Sequence, residues 1–255
     1  MLQAIILGIV QGLTEFLPVS STAHLILFPW FLNWSGEVDT LTFDVALHGG
    51  TLLALLLCFR RDWTDLFFRN HRLLGLIIAA SIPAGLAGFF LNGFVEHSLR
   101  SPLLISIMLI VGGVIMLAAE KIYKYRDMDQ LAMKDVIFIG VAQAIAIIPG
   151  VSRSGLTISA GLFRGLERET AARFSFLLST PIIAGAFMLH FKDAFINNGG
   201  HNLQIFAAGL ISSFITGSFA IKFMMKFLKR YPLDLFVYYR FLLAAVIIAG
   251  IWLKG

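Results

Sequence analysis

Apolar residues along this chain come in long unbroken runs instead of the alternating or one-faced patterns of a soluble domain. Six runs, at about 43–59, 73–95, 102–120, 173–190, 205–227 and 235–253, approach or exceed the roughly 20 residues that a helix needs to cross a bilayer. Two more apolar helices are expected at about 1–16 and 135–148, each followed by a proline (Pro18, Pro149), a hydroxyl cluster and another short helix. Proline removes a donor from the helical ladder and breaks it. Within a membrane such breaks persist only where protein or water covers the freed backbone groups. Both pairs are therefore expected to be re-entrant helical hairpins that return to the side they entered. The fold class expected is an all-α polytopic membrane protein.

Composition agrees. Of 255 residues, 58% are hydrophobic and 14% charged, against about 25% charged in soluble domains. No polar linker or low-complexity tract divides the chain, so residues 1–255 are expected to form a single membrane domain. The start lacks the charged region and cleavage site of a signal peptide, placing Met1 to Val10 in the mature fold. The single cysteine, Cys58, excludes an internal disulfide. The net charge of +5 is not arranged as a basic stripe interleaved with aromatics, which argues against nucleic acid. With two re-entrant hairpins, the segments near 60–72, 121–134, 164–173 and 226–234 share one side and hold most of the Lys and Arg, from Arg60 and Arg61 to Lys229 and Arg230. The other side holds little beyond Arg100, Lys192 and Lys254. The positive-inside rule makes the basic side cytoplasmic, with both termini outside.

The chain also resembles itself at an offset of about 131 residues. Gly8-Ile-Val-Gln11 recurs as Gly140-Val-Ala-Gln143, and Val19-Ser-Ser-Thr22 as Val151-Ser-Arg-Ser154; Phe43, Ser81 and Gly85 match Phe174, Ser212 and Gly217. Each half, about 1–125 and 132–255, has one hairpin and three crossings. Three is odd, so the halves must sit in opposite senses, an inverted-topology repeat whose hairpins meet near the midplane.

Two motifs carry the chemistry. The first runs from Gln11 through Glu15 and Pro18 to Ser20, Ser21, Thr22 and His24. A carboxylate in an apolar segment costs several kcal/mol unless paired or hydrated. Gln11 and Glu15, four apart, share a helical face. Ser20, Ser21 and Thr22 open the next helix, where free N–H groups and the dipole favour an anion. His24, three residues beyond Ser21, would lie beside that hydroxyl. The plainer alternative is an N-cap cluster with a satisfied histidine. The second motif is Pro149-Gly-Val-Ser152-Arg153-Ser154-Gly-Leu-Thr157. Arg153 lies deep in apolar sequence and needs a counter-ion, and its planar fork suits phosphate oxygens. The plainer alternative here is an Arg153–Glu15 pair tying the halves together. Asp44 and His48 share a face of the first crossing and either line the cavity or make interfacial contacts. His71, His97, His190 and His201 read as surface residues.

Both motifs resemble those of the bacterial undecaprenyl-diphosphate phosphatase family, of bacitracin-resistance type. That family is marked by E/Q-x-x-x-E running into P-V-S-S-T-x-H and by P-G-x-S-R-S-x-x-T. The resemblance spans essentially the whole chain. Gln11 stands where some members have glutamate, which puts more of any base or ligand role on Glu15. Ala23 and Leu156 replace a frequent glycine and serine. The resemblance implies hydrolysis of the C55 polyprenyl diphosphate, a lipid substrate, to its monophosphate. That reaction recycles the carrier for peptidoglycan synthesis and would take place at the outer face of the bacterial inner membrane. It would be assisted by a divalent cation, Mg²⁺ or else Ca²⁺, and bacitracin resistance would follow from overexpression. Phosphoryl transfer needs chiefly charge neutralisation and in-line positioning, and the residue types fit. Ser21 is the candidate nucleophile, with attack by activated water as the alternative. His24 is the candidate acid or base, and Glu15 the base or metal ligand. Arg153 is the charge clamp, with Gln11, Ser20, Thr22, Ser152, Ser154 and Thr157 expected around the diphosphate. The competing class is a secondary transporter or flippase of a lipid phosphate or other anion, since broken helices in inverted repeats are its signature. Membrane lipids are expected around the protein, and a homodimer is compatible with the sequence.

Overall fold

A computed structural model of the chain describes residues 1–36, 38, 40–192 and 203–254. His201 lies outside them, as do the side chains of His97, His190, Lys192 and Lys254. The described residues form eleven α-helices and no strand. They are α1 (Leu2–Phe16), α2 (Ser21–Leu32), α3 (Leu41–Cys58), α4 (Arg60–Phe68), α5 (His71–Ser98), α6 (Pro102–Glu120), α7 (Met133–Ile145), α8 (Arg153–Phe163), α9 (Arg168–Lys192), α10 (Leu203–Leu228) and α11 (Asp234–Lys254). Five, α5, α6, α9, α10 and α11, are each long and apolar enough to cross a membrane. Helices α3 and α4, bent by 68° at their junction, make a sixth span if taken as one. The multi-pass expectation therefore holds, and the chain is an all-helical membrane protein.

Helix α4 falls where the sequence suggested only a basic loop. Phe59 leaves helical geometry at φ −103°, ψ 22°, and the chain turns so that Leu66 is buried and Trp63 packs on the core. Arg60 and Arg61 stay outside. Helix α4 thus turns an apolar side to the core and a basic side outward, the pattern of an amphipathic helix.

The two short helix pairs pack against the longer helices, with one face of α1 (Ile5, Ile9, Leu13) and of α7 (Ile137, Phe138, Val141) left exposed. Helix α1 packs chiefly on α10 and α7 on α5, while α8 is enclosed by α6, α7 and α9. Every residue of α8 from Ser154 to Leu162 is buried. Such close approach has a specific cause. A side chain at Gly8 would run into Ser212 and the carbonyl of Gly209 on α10, and one at Gly140 would run into the backbone of Ala80 on α5. Small residues at helix contacts are how membrane bundles gain van der Waals packing without a hydrophobic driving force. Leu, Ile, Val and Phe side chains exposed along α5, α6, α10 and α11, among them Phe89, Phe90, Val114, Phe219 and Leu242, suit a hydrocarbon surround.

The basic edge of the bundle is built from ion pairs, some of which join the two half-chains. Glu120, at the end of α6, accepts from Arg168 Nε and Nη2 at 2.9 and 2.6 Å and from the Leu233 N–H at 3.0 Å. Asp62 of α4 pairs with Arg173 of α9. Asp135, fully buried at the start of α7, takes Arg126 at 2.7 Å, Arg164 at 2.6 Å and the Ala132 N–H at 3.0 Å. Burial alone would raise its pKa, but these three donors outweigh it and bring the group down from 3.8 to about 2. A depressed carboxylate stabilises the fold above its unfolded pKa and loses that contribution as pH falls through the folded value. The wild type should therefore lose about 2 kcal/mol of stability between pH ~4 and ~2. Asp135→Asn should show a lower Tm at neutral pH and a flatter Tm over that acid window, measured by thermal unfolding in detergent. An unchanged neutral Tm in the variant would show that the cluster contributes nothing.

Candidate active site

Both broken helices resume through the same local device. Pro18 and Pro149 end the preceding helices, and the chain passes through Ser20 at φ 75° and Ser152 at φ 74° before α2 and α8 begin. Positive φ at a serine costs roughly 1–3 kcal/mol. Part of that is offset because each serine is an N-cap, Ser20 Oγ accepting from the Ala23 N–H at 3.4 Å and Ser152 Oγ from the Gly155 N–H at 3.2 Å. The first residues of the two new helices, Ser21 and Arg153, thereby face one cavity.

That cavity, of about 250 Å³, is lined by Thr14, Glu15, Ser20, Ser21, Thr22, His48, Gln143, Ser152 and Arg153 together with apolar residues of α5, of α9 and of the segment after α7. Glu15 is its hub. One carboxylate oxygen pairs with Arg153 Nη2. The other accepts from Ser21 Oγ at 2.6 Å and from Gln11 Nε2 at 3.1 Å. His48 Nε2 stands 3.9 Å from that same oxygen, and its Nδ1–H donates to the Asp44 carbonyl at 2.8 Å. The Arg153–Glu15 pair expected as a tie between the halves is thus present, at the place where the hydroxyl is.

Other expected site residues turn elsewhere. His24 is buried with Nδ1 2.7 Å from the Ser20 carbonyl and Nε2 2.7 Å from the Tyr239 phenol Oη. A carbonyl only accepts, so Nδ1 carries the proton and the neutral ring accepts from Tyr239 at Nε2. The sequence placed His24 beside Ser21; the structure gives Ser21 to Glu15 and His24 to Tyr239. Ser154 Oγ is directed to the Leu17 carbonyl at 3.2 Å, and Thr157 Oγ1 to the Arg153 carbonyl at 2.7 Å and Ser175 Oγ at 2.6 Å. These two brace the turn behind the cavity. Asp44 pairs with Arg100 at 4.0 Å; His71 is exposed, as expected of a surface residue.

The sequence reading missed Arg240. It is fully buried in α11, and its guanidinium donates to five backbone carbonyls: Leu109 at 3.0 Å, Met108 at 3.2 Å, Pro18 at 3.2 Å, Gly150 at 2.9 Å and Val151 at 3.0 Å. Pro18, Gly150 and Val151 belong to the two breaks, so one cation closes the backbone of both turns. The signal was available, since an arginine inside an apolar span marks a buried polar contact. Glu15, Arg153 and Arg240 leave the interior with one positive charge beyond the ion pair, close to where an anion would lie.

Comparison with known proteins places this geometry. The profile of the family described as bacitracin resistance protein BacA matches residues 4–246. A protein of Thermodesulfovibrio yellowstonii named undecaprenyl-diphosphatase is 55% identical over 96% of this chain and 95% of its own length. Proteins of the same name from Moorella thermoacetica and Rubrobacter xylanophilus are 47% and 44% identical, over 99% and 98% of this chain and 98% and 97% of theirs.

If Arg240 is the clamp described, Arg240→Met should lower stability by several kcal/mol, since each buried carbonyl left without a donor costs about 1–3 kcal/mol. Arg240→Lys, with three donors and no planar fork, should recover only part. Thermal unfolding in detergent would show both, and a wild-type Tm in the methionine variant would refute the role.

Proposed function

The chain belongs to the BacA family, and from that premise we propose that it hydrolyses undecaprenyl diphosphate to the monophosphate and inorganic phosphate in the bacterial inner membrane. The observation that carries the reading is the convergence of a hydroxyl and a guanidinium on one buried carboxylate at the wall of a cavity. Transport of an anion would use the arginine but needs no hydroxyl held by a base. The comparisons lend the transporter alternative no support.

The contacts support a two-step mechanism. Arg153 and the donors at the start of α2 hold the terminal phosphoryl group. Glu15 takes the proton of Ser21 as Ser21 Oγ bonds to that phosphorus, and the anhydride P–O bond breaks to release the lipid monophosphate. Water then attacks the phosphoserine; as the P–Oγ bond breaks, Glu15 returns its proton to Ser21 Oγ, and both hydrogens of the water leave with the inorganic phosphate. Arg153, partnered with Glu15 before substrate arrives, is shared with phosphate oxygens when it does. His24, held by Tyr239 and Ser20, fixes the first turn of α2 and is a positioning residue in this scheme.

A divalent cation fits the donors present. The Gln11 carbonyl oxygen is buried without a partner beside Glu15, and an amide oxygen next to a carboxylate is a hard-cation donor pair. No cluster of three His, Cys, Asp or Glu occurs among the described residues, so substrate oxygens would have to complete the shell, as is usual for Mg²⁺. Glu15 and Gln11 would hold Mg²⁺ or Ca²⁺. When bound, the ion would supply charge neutralisation across the diphosphate.

The inverted repeat is part of the same reading. Its support is reciprocity: α1 packs on α10 through Gly8 against Ser212, and α7 on α5 through Gly140 against Ala80, which are corresponding positions 132 apart. The two positive-φ serine caps correspond likewise. The pairs α1–α2 and α7–α8 are then re-entrant hairpins meeting at the cavity. An opening to the outer face is supported by the lining residues His48, Gly88 and Ala186. All three lie in the parts of α3, α5 and α9 remote from the basic edge.

Phosphate release from a prenyl diphosphate, with Mg²⁺ and with EDTA, tests the proposal on protein purified in detergent. Release should be metal-dependent, and Glu15→Ala, Ser21→Ala and Arg153→Ala should each lower kcat by at least ~10³-fold. Ser21→Ala should keep its Tm within a few degrees of wild type, while the other two, which leave a buried charge unpaired, should lower it. Full activity in Ser21→Ala would move the attack to water. A well-folded wild type releasing no phosphate from any chain length would sink the hydrolase reading.

A further inference from the structure

The cavity holds a polar side chain that the catalytic grouping leaves unused. Gln143, on the deep turn of α7, is 3% exposed and lines the cavity, yet neither its amide oxygen nor its amide nitrogen has a hydrogen-bond partner in the protein. A buried amide in that condition destabilises the fold that carries it. Its counterpart in the first half-chain, Gln11, gives its nitrogen to Glu15 at 3.1 Å. Four residues after Gln143 stands Ile147, not a carboxylate. Gln143 therefore has no internal partner within its own helix, and its position leaves it addressed to whatever fills the cavity.

The wall around it is apolar, formed by Ala84 and Gly88 of α5, Ile147 and Ile148 after α7, and Ile183 of α9. The charged and hydroxyl groups come from α1, α2 and α8. A prenyl diphosphate seated with its terminal phosphoryl at Ser21 and Arg153 turns its hydrocarbon-bearing phosphoryl toward the apolar wall, where Gln143 is the polar group. We propose that Gln143 binds the phosphoryl group that stays with the lipid, its N–H donating to a non-bridging oxygen. This rests on hydrolysis of the terminal phosphoryl at Ser21. A neutral amide suits the place: it fixes an oxygen without the added positive charge that would retain the monophosphate product.

The test is Gln143→Met, which keeps length and removes the amide, with Gln143→Glu beside it. Three quantities are read on protein in detergent: the Tm of the ligand-free protein, the inhibition constant of a prenyl monophosphate, and that of inorganic phosphate. Methionine orphans no protein group, so Tm should stay or rise. The inhibition constant of the prenyl monophosphate, and KM for the diphosphate, should rise about tenfold for loss of one hydrogen bond to a charged group. That of inorganic phosphate should not move. Gln143→Glu sets a carboxylate against phosphate oxygens and should weaken the prenyl monophosphate further. Equal weakening of both inhibitors, weakening of inorganic phosphate alone, no change in either, or a fall in Tm would each overturn the proposal. Absence of turnover by wild type would instead mark failure of the hydrolase reading. Prenyl monophosphate binding, followed by tryptophan fluorescence without turnover, keeps the two failures apart.

Discussion

Everything at this site depends on a carboxylate and a guanidinium that cannot remain unpaired in an apolar interior. Glu15 comes from the first broken helix and Arg153 from the second, and their pairing brings the two breaks to one place. Burying either charge alone would cost several kcal/mol. The pair therefore acts as a registration device between the half-chains and, in the function proposed above, as part of the catalytic grouping. Once Glu15 is fixed by Arg153, its second oxygen is available to orient Ser21 and Gln11. Hydroxyl direction at the cavity is a consequence of the ion pair.

The breaks themselves need support, and it comes from a cation with no carboxylate. Carbonyls freed by Pro18 and Pro149 are acceptors without helical donors. Arg240 collects those of Pro18, Gly150 and Val151 along with two from α6. Backbone dipoles thus do for Arg240 what Glu15 does for Arg153. The arrangement leaves a net positive interior near the site, the sign that a diphosphate requires, and fixes it before substrate arrives. Preorganised charge of this kind is worth more than charge that must reorient during reaction.

How much of this was legible in the sequence follows from which forces act locally. Five of the six crossings were, because hydrophobic length alone decides them, and so were the breaks, because proline acts on its own helix; the run at 43–59 reaches span length only together with α4. Gln11, Glu15, Ser21 and Arg153 were flagged because polar groups in apolar runs demand partners, and the structure brings them together. Helix α4 was not legible: its single buried Leu66 and the bend at Phe59 are fixed by packing on the rest of the bundle. His24 was assigned to Ser21 from its three-residue spacing, but spacing cannot show that Tyr239, 215 residues away in sequence, supplies a phenol at 2.7 Å. Arg240 could have been found by the logic that found Arg153. Gln143 could have been found only by asking what the repeat of Gln11 would touch without the repeat of Glu15.

That last comparison explains how two similar turns make one asymmetric site. At an offset of 132, Ser20 meets Ser152 and both are positive-φ caps, so the backbone device is the same twice. The next position differs: Ser21 in one turn, Arg153 in the other. Glu15 likewise meets Ile147, and both line the cavity. Were the turns chemically identical, the cavity would hold two carboxylates or two guanidiniums at close range. Two carboxylates would repel each other and the phosphate, and two guanidiniums would leave the hydroxyl without a base. Only the mixed arrangement neutralises itself when empty and still offers a cation, a base and a hydroxyl to an anion. The two matching turns supply the cradle, and their difference at Ser21/Arg153 and Glu15/Ile147 supplies the chemistry proposed for it.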